Sequence, residues 1–197
     1  MKKLATITSL FLTLQSLAIS PGQKAPSFTL IDQNNKEVTL SNFKGKTVVL
    51  EWYNKGCPFV RKHYDSSNMQ KSQELAKEKG IVWLSIVSSA EGKQGHLTDA
   101  SEALSQLNKE KSKASHLLLD TTGSVGKAYG AVTTPQMVLI DKNGIVQYQG
   151  AIDSIPSANP ADIKDATNYI ERAMLANLDG KEIRPSKTKP YGCSVKY

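Results

Sequence analysis

Two apolar runs, TVVLEWY at 47–53 and GIVWLSIV at 80–87, stand either side of a polar, helix-compatible stretch at 58–79. Both runs are rich in β-branched and aromatic residues and lack the strict alternation of a strand with one wet face. Each therefore reads as a central strand buried on both sides. Strands that alternate with helices imply a parallel core, because a parallel pair needs a long crossover where an antiparallel pair needs only a turn.

The flanking segments add to this core. SFTLI and EVTL enclose DQNNK, the pattern of a β-hairpin. The stretch from Pro58 to Lys79 is expected to be a helix, and Thr98 and Asp99 are capping residues for another that runs to about Lys111. HLLLD is a short strand, and TGSVGKAYG a short helix closing on Gly130. TTPQMVLID and IVQYQGA are two strands joined through Asn143-Gly144, a strong hairpin signal. Apolar Ile163, Ala166, Ile170, Ala173 and Met174 predict a helix over Asp162 to Leu178. The tail KEIRPSKTKPYGCSVKY is rich in Pro and Lys and is expected to be irregular. The sum is an α/β fold: a central mixed sheet with helices on both faces, an N-terminal hairpin and a C-terminal tail. With 197 residues, 39% of them apolar, the chain supplies one core.

The first 18 residues stand apart. Lys2 and Lys3 precede an apolar segment, Leu4 to Leu14, that ends in small residues around Ser16 and Ala18, the layout of a secretory signal peptide. The segment is shorter than the roughly 20 residues that span a bilayer, so stable membrane insertion is not expected after cleavage. This division leaves a domain at 19–178 and a tail at 179–197, and it places the mature protein in the periplasm or outside the cell, where two cysteines can pair. The formal charge of +7 includes Lys2 and Lys3 and is otherwise dispersed without aromatic interleaving, which argues against a nucleic-acid partner.

Cys57 follows a buried strand and directly precedes Pro58, a residue favoured at the first position of a helix. The positive end of that helix favours a thiolate, and Lys55, Arg61, Lys62 and His63 are expected to strengthen the local positive potential. A thiolate is the nucleophile in disulfide exchange and peroxide reduction. Glu51, six residues earlier inside an apolar strand, is costly to leave charged and unpaired, so its pKa should rise or it should find a partner. A buried acid under a thiol is suited to moving protons to and from it; a paired structural glutamate is the other reading. Thr133-Thr134-Pro135 opens the apolar run QMVLI, and a proline at a strand start marks a special turn, in some cases a cis peptide. His63, His96 and His116 have no metal-ligand spacing with the two cysteines, and no metal or other cofactor is expected.

The frame EWY-x3-CP with the distant TTPQMVLIDKNG resembles the thioredoxin fold. It is closest there to the redoxin branch, which holds the alkyl hydroperoxide reductase/thiol-specific antioxidant superfamily and membrane-tethered thiol-disulfide oxidoreductases. GCPFVRKHY with the terminal KPYGCSVKY is similar to a group of peroxiredoxin-like, thioredoxin-family proteins. The resemblance covers roughly residues 24 to 197. It implies a thiol-dependent oxidoreductase in which Cys57 is the nucleophile, Pro135 the cis-proline that faces it, Thr134 the residue whose backbone binds a substrate strand, and Glu51 the buried acid. The sequence departs from the family at Val60, which stands where the second thioredoxin cysteine belongs. It also lacks the peroxiredoxin signature P-x3-T-x2-C, with Leu50 and Asn54 at the proline and threonine positions. Cys193, carried by the tail, then becomes the candidate resolving thiol, within one chain or between two. A fixed Cys57–Cys193 staple is the competing reading. The implied partner is a thiol or disulfide protein acting as electron donor or substrate, or a peroxide. A reading of another class is a non-enzymatic thioredoxin-fold module that captures a partner protein or a soft metal such as Cu(I).

Overall fold

The computed structural model describes residues 19–197. The proposed signal peptide at 1–18 lies outside the described residues. Nine strands follow in chain order: β1 Thr29–Asp32, β2 Glu37–Thr39, β3 Val48–Trp52, β4 Val82–Val87, β5 His116–Leu119, β6 Thr133–Thr134, β7 Gln136–Ile140, β8 Val146–Gly150 and β9 Cys193–Ser194. Five α-helices join them: α1 Pro58–Asp65, α2 Asn68–Glu78, α3 Ala100–Lys109, α4 Ser124–Ala128 and α5 Tyr169–Leu178.

Seven strands form one sheet in the order β2-β1-β5-β4-β3-β7-β8. The two apolar runs pair in parallel at its centre, Val48 opposite Val82 through Trp52 opposite Ile86, and β5 continues the parallel set beyond β4. β7 and β8 close one side and β1 and β2 the other, all antiparallel, so the sheet is mixed as expected. Every residue of β3 and β4 is buried, which explains why neither run alternates. On one face Val49, Tyr53, Trp83 and Met137 pack with Val60 and Tyr64 of α1, Met69 and Ala76 of α2, and Ile170 and Met174 of α5. On the other, Val48, Leu50 and Trp52 pack with Val125 of α4, Tyr129 and Phe28. This is the thioredoxin-like arrangement that the resemblance implies.

Three expectations need correction. The helix over 58–79 is two helices, because Ser67 takes a left-handed conformation with φ +61° and turns the chain between α1 and α2. The helix over 162–178 begins only at Tyr169; Pro160–Asp165 is a 3₁₀ turn, and Asn168 caps α5 by accepting a hydrogen bond from the Glu171 N–H. The tail is not irregular throughout. β9 pairs antiparallel with β6, with Cys193 opposite Thr134, in a separate two-stranded sheet. The capping at α3 is as expected: Asp99 accepts from the Glu102 N–H at 2.9 Å, and Glu102 accepts from the Thr98 N–H at 2.8 Å. No helix among the described residues is long and apolar enough to cross a membrane.

Candidate functional site

Cys57 is the N-cap of α1 and Pro58 its first residue, so the thiol stands where the helix leaves its first N–H groups unpaired. The loop from β3 is fixed before it arrives. Asn54 accepts from the Gly56 N–H at 2.8 Å through its side chain and from the Cys57 N–H at 3.1 Å through its carbonyl. Gln94 reaches across to donate to the Gly56 carbonyl at 3.0 Å, while its own carbonyl accepts from the Asn54 side chain. Asn54 and Gln94 carry no motif, and sequence reasoning missed both as positioning residues.

The Cys57 side chain is fully buried, and as a thiol it donates to the Thr134 carbonyl at 3.0 Å. Thr134 and Pro135 therefore face Cys57, with a cis peptide between them. Cys193 arrives on the opposite strand in register with Thr134, which brings it beside Cys57. Burial pushes the Cys57 thiol up, but the neighbouring Cys193 thiol and the backbone N–H groups of Cys193 and Val60 outweigh it and hold Cys57 below an ordinary cysteine. Cys193 moves the other way: burial and its position beside Cys57 push it up to about 11. The two thiols are thus shifted in opposite directions.

The expected basic cluster does not act on the thiol. Lys55 pairs with Glu102 at 2.5 Å, Arg61 with Asp65 and Glu110, and Lys62 with Asp153 at 2.9 Å. Hydrogen-bond donors, not nearby cations, set the Cys57 pKa.

Glu51 is fully buried on the sheet face that also carries Cys57, and it accepts from Trp83 Nε1 at 2.8 Å, Ser85 Oγ at 2.7 Å, the Tyr64 hydroxyl at 3.0 Å and Gln73 Nε2 at 3.4 Å. Burial still outweighs these donors and raises its pKa. None of these bonds goes to a cysteine. The three histidines are dispersed: His96 meets the Ser89 carbonyl, His116 meets Asp32, and both ring nitrogens of His63 have partners in Asn68 and Tyr191.

The model of the Redoxin family matches residues 20–170. The chain belongs to the redoxin family. It is 29% identical over 128 residues to the thiol-disulfide oxidoreductase ResA of Bacillus thuringiensis subsp. konkukian, covering 64% of this redoxin and 66% of that protein. It is 30% identical over 141 residues to the chloroplastic peroxiredoxin Q of Oryza sativa subsp. japonica, covering 66% and 58%. The redoxin thus spans two thirds or less of the length of these curated relatives. Among solved structures it is similar to the hypothetical protein SMc02350 of Sinorhizobium meliloti 1021, with a TM-score of 0.77, 24% identity and coverage of 92% and 96%.

A second buried polar cluster of the redoxin lies beside the thiols. Lys62 Nζ donates to Asp153 Oδ2 and to the Ile155 carbonyl, each at 2.9 Å, and the Tyr191 hydroxyl donates to Asp153 Oδ1. His63 Nε2 stands 3.3 Å from the same hydroxyl. Burial holds His63 far below its ordinary 6.5, at about 4; Asp153 opposes the shift and Lys62 adds to it. As pH falls, the unfolded chain takes up this proton before the folded one does. Stability that is complete above pH 6.5 is therefore lost toward pH 4, to a total of about 3 kcal/mol. Denaturant titrations of wild type and His63→Gln at pH 7 and pH 4.5 should show a steeper fall for wild type by about 2 kcal/mol; equal falls would contradict this assignment.

Proposed function

We propose that this redoxin is an exported thiol-dependent oxidoreductase in which Cys57 is the nucleophile and Cys193 the resolving thiol. The observation that carries the reading is the register of β6 with β9, which sets Cys193 opposite Thr134, the residue whose carbonyl accepts from the Cys57 thiol. The second thiol that Val60 removes from the helix is supplied by a strand. With a disulfide, the Cys57 thiolate attacks one sulfur, a Cys57 mixed disulfide forms and the other sulfur leaves as a thiolate. Cys193 then attacks Cys57, the second thiolate leaves, and two electrons have passed from the protein to the oxidant. With a peroxide, the thiolate attacks one oxygen and the O–O bond breaks to give a sulfenic acid and water or an alcohol. Cys193 then displaces a second water to form the same Cys57–Cys193 disulfide. An external dithiol returns both cysteines to thiols.

In this reading Thr134 and Pro135 shape the site opposite Cys57, and Glu51 is the buried acid that exchanges protons with it through reorganisation of the surrounding donors. The chemistry uses cysteine alone and calls for no cofactor. The signal-like N-terminus supports a periplasmic or secreted location, in keeping with cysteines that must cycle.

The test is a disulfide map. The reduced full-length protein is treated with one equivalent of hydrogen peroxide or 2-hydroxyethyl disulfide and digested without reduction. The expected product is one peptide pair joining Cys57 to Cys193 of the same chain, opened again by dithiothreitol in the folded state. Oxidation of Cys57 with Cys193 left free, a link between two chains, or a bond that only denaturation makes reducible would overturn the cycle. Tight one-to-one uptake of Cu(I) without any thiol turnover would favour a binding module instead.

A further inference from the structure

Residues 191–195 lie along the only hydrogen-bonded edge of β6 among the described residues. The Val195 N–H donates to the Val132 carbonyl at 3.1 Å, so the pairing runs past both threonines of β6. A free strand edge of this kind accepts an extended polypeptide by strand addition. Whatever residue takes the register opposite Thr134 is placed against the Cys57 sulfur. Here that residue belongs to the protein itself.

The segment is held at both ends. Beyond it, the Ala90 N–H donates to the Lys196 carbonyl and the Tyr197 hydroxyl to the Ala131 carbonyl, both at 2.7 Å. Before it, Tyr191 donates to Asp153, its ring packs edge-on against Phe59 at 5.9 Å, and Lys62 Nζ lies 5.5 Å from its ring centroid. Lys62 and Asp153 are themselves buried, so this end is fixed to the helix that carries Cys57.

We propose that residues 191–195 are an internal strand occupying the edge where a polypeptide would dock, and that Lys62, Asp153 and Tyr191 lock it there, so that the reduced protein favours small electrophilic oxidants over extended polypeptide disulfides. This rests on Cys57 being the nucleophile. Removing the strand breaks all of these contacts at once, whereas a small oxidant needs only a local opening. A cleft of about 520 Å³ already reaches the strap at Thr133, Tyr191 and Gly192, and it is lined by Thr133, whose buried hydroxyl has no hydrogen-bond partner among the described residues.

Two substitutions open the strap in independent ways. Tyr191→Phe removes the hydroxyl of the lock. Gly192→Ala acts at the strand itself, because Gly192 has φ +128° and a Cβ there would run into the Thr134 carbonyl. The probes are hydrogen peroxide, 2-hydroxyethyl disulfide and a permanently unfolded polypeptide carrying one disulfide, each mixed with reduced full-length protein while loss of the Cys57 thiol is followed.

In wild type the small disulfide should react at least about tenfold faster than the polypeptide disulfide; loss of a hydrogen bond to a carboxylate should then raise the polypeptide rate about tenfold in Tyr191→Phe. Gly192→Ala should raise it at least as much. In Tyr191→Phe both small oxidants should stay within about threefold of wild type, since local opening governs them. Equal rates for small and polypeptide disulfides in wild type, or a ratio that neither variant moves, would overturn the lock. A Cys57 thiol that reacts with no probe faster than a free thiol would instead overturn the functional reading beneath it.

Discussion

Cys57→Ser is expected to slow the reaction of the reduced protein with a small disulfide or a peroxide by on the order of a thousandfold or more, since loss of a nucleophile removes the covalent step altogether. The residual rate should be that of Cys193, whose thiol burial still pushes up once Cys57 is replaced. Cys193→Ser should behave differently. Its first step survives, because the Val60 and position-193 backbone N–H groups still act on Cys57, although the thiol of Cys193 that helps hold Cys57 low is gone. A slower first step by about tenfold or less, followed by a mixed disulfide that persists, is the expected record. Stopped-flow mixing with intact-mass detection separates the two steps. If Cys57→Ser reacts as wild type does, Cys57 is not the nucleophile; if Cys193→Ser releases the mixed disulfide at the wild-type rate, Cys193 does not resolve it.

The sequence made the sheet readable because its strongest signals are local. TVVLEWY and GIVWLSIV are buried on both faces, as their unbroken apolar, β-branched composition predicts for central strands. Cys57 was legible for the same reason, since Pro58 marks the helix start and the N-cap position carries its own electrostatics. The failures lie where contacts decide. Lys55, Arg61, Lys62 and His63 suggest a positive site near Cys57, yet each has a carboxylate or a polar partner of its own, as Lys62 has in Asp153, 91 positions away. The break at Ser67 depends on a left-handed conformation that serine adopts only when packing on both sides fixes it.

The tail shows the limit most sharply. KTKPYGCSVKY has the composition of an unstructured end, and no periodicity suggests a strand in two residues. What orders it is Tyr191 entering a buried polar cluster and Gly192 passing so close to Thr134 that no side chain fits. The partners of Glu51 and Lys62 were equally hidden: Glu51 is met from α1, α2 and β4, and Lys62 by Asp153, 91 positions away.

Asp153→Ala is expected to lower stability by about 3 to 5 kcal/mol, since it leaves the Lys62 ammonium buried with only the Ile155 carbonyl and the Tyr191 hydroxyl as partners. For a chain of this size that corresponds to a fall in melting temperature of roughly 10 °C, readable by calorimetry. A loss below about 1 kcal/mol would mean that the pair is relieved by solvent and is not a buried charge pair. Replacing both partners, Lys62→Met with Asp153→Leu, should recover most of that loss, because apolar side chains of similar size remove the desolvation cost together with the attraction. The double variant has a further use. It restores the core but offers Tyr191 no carboxylate, so its stability should approach wild type while the strap stays unlocked and polypeptide disulfides gain access to Cys57. Stability and access then separate in one protein, as they must if the pair serves to hold the tail and not simply to hold the fold.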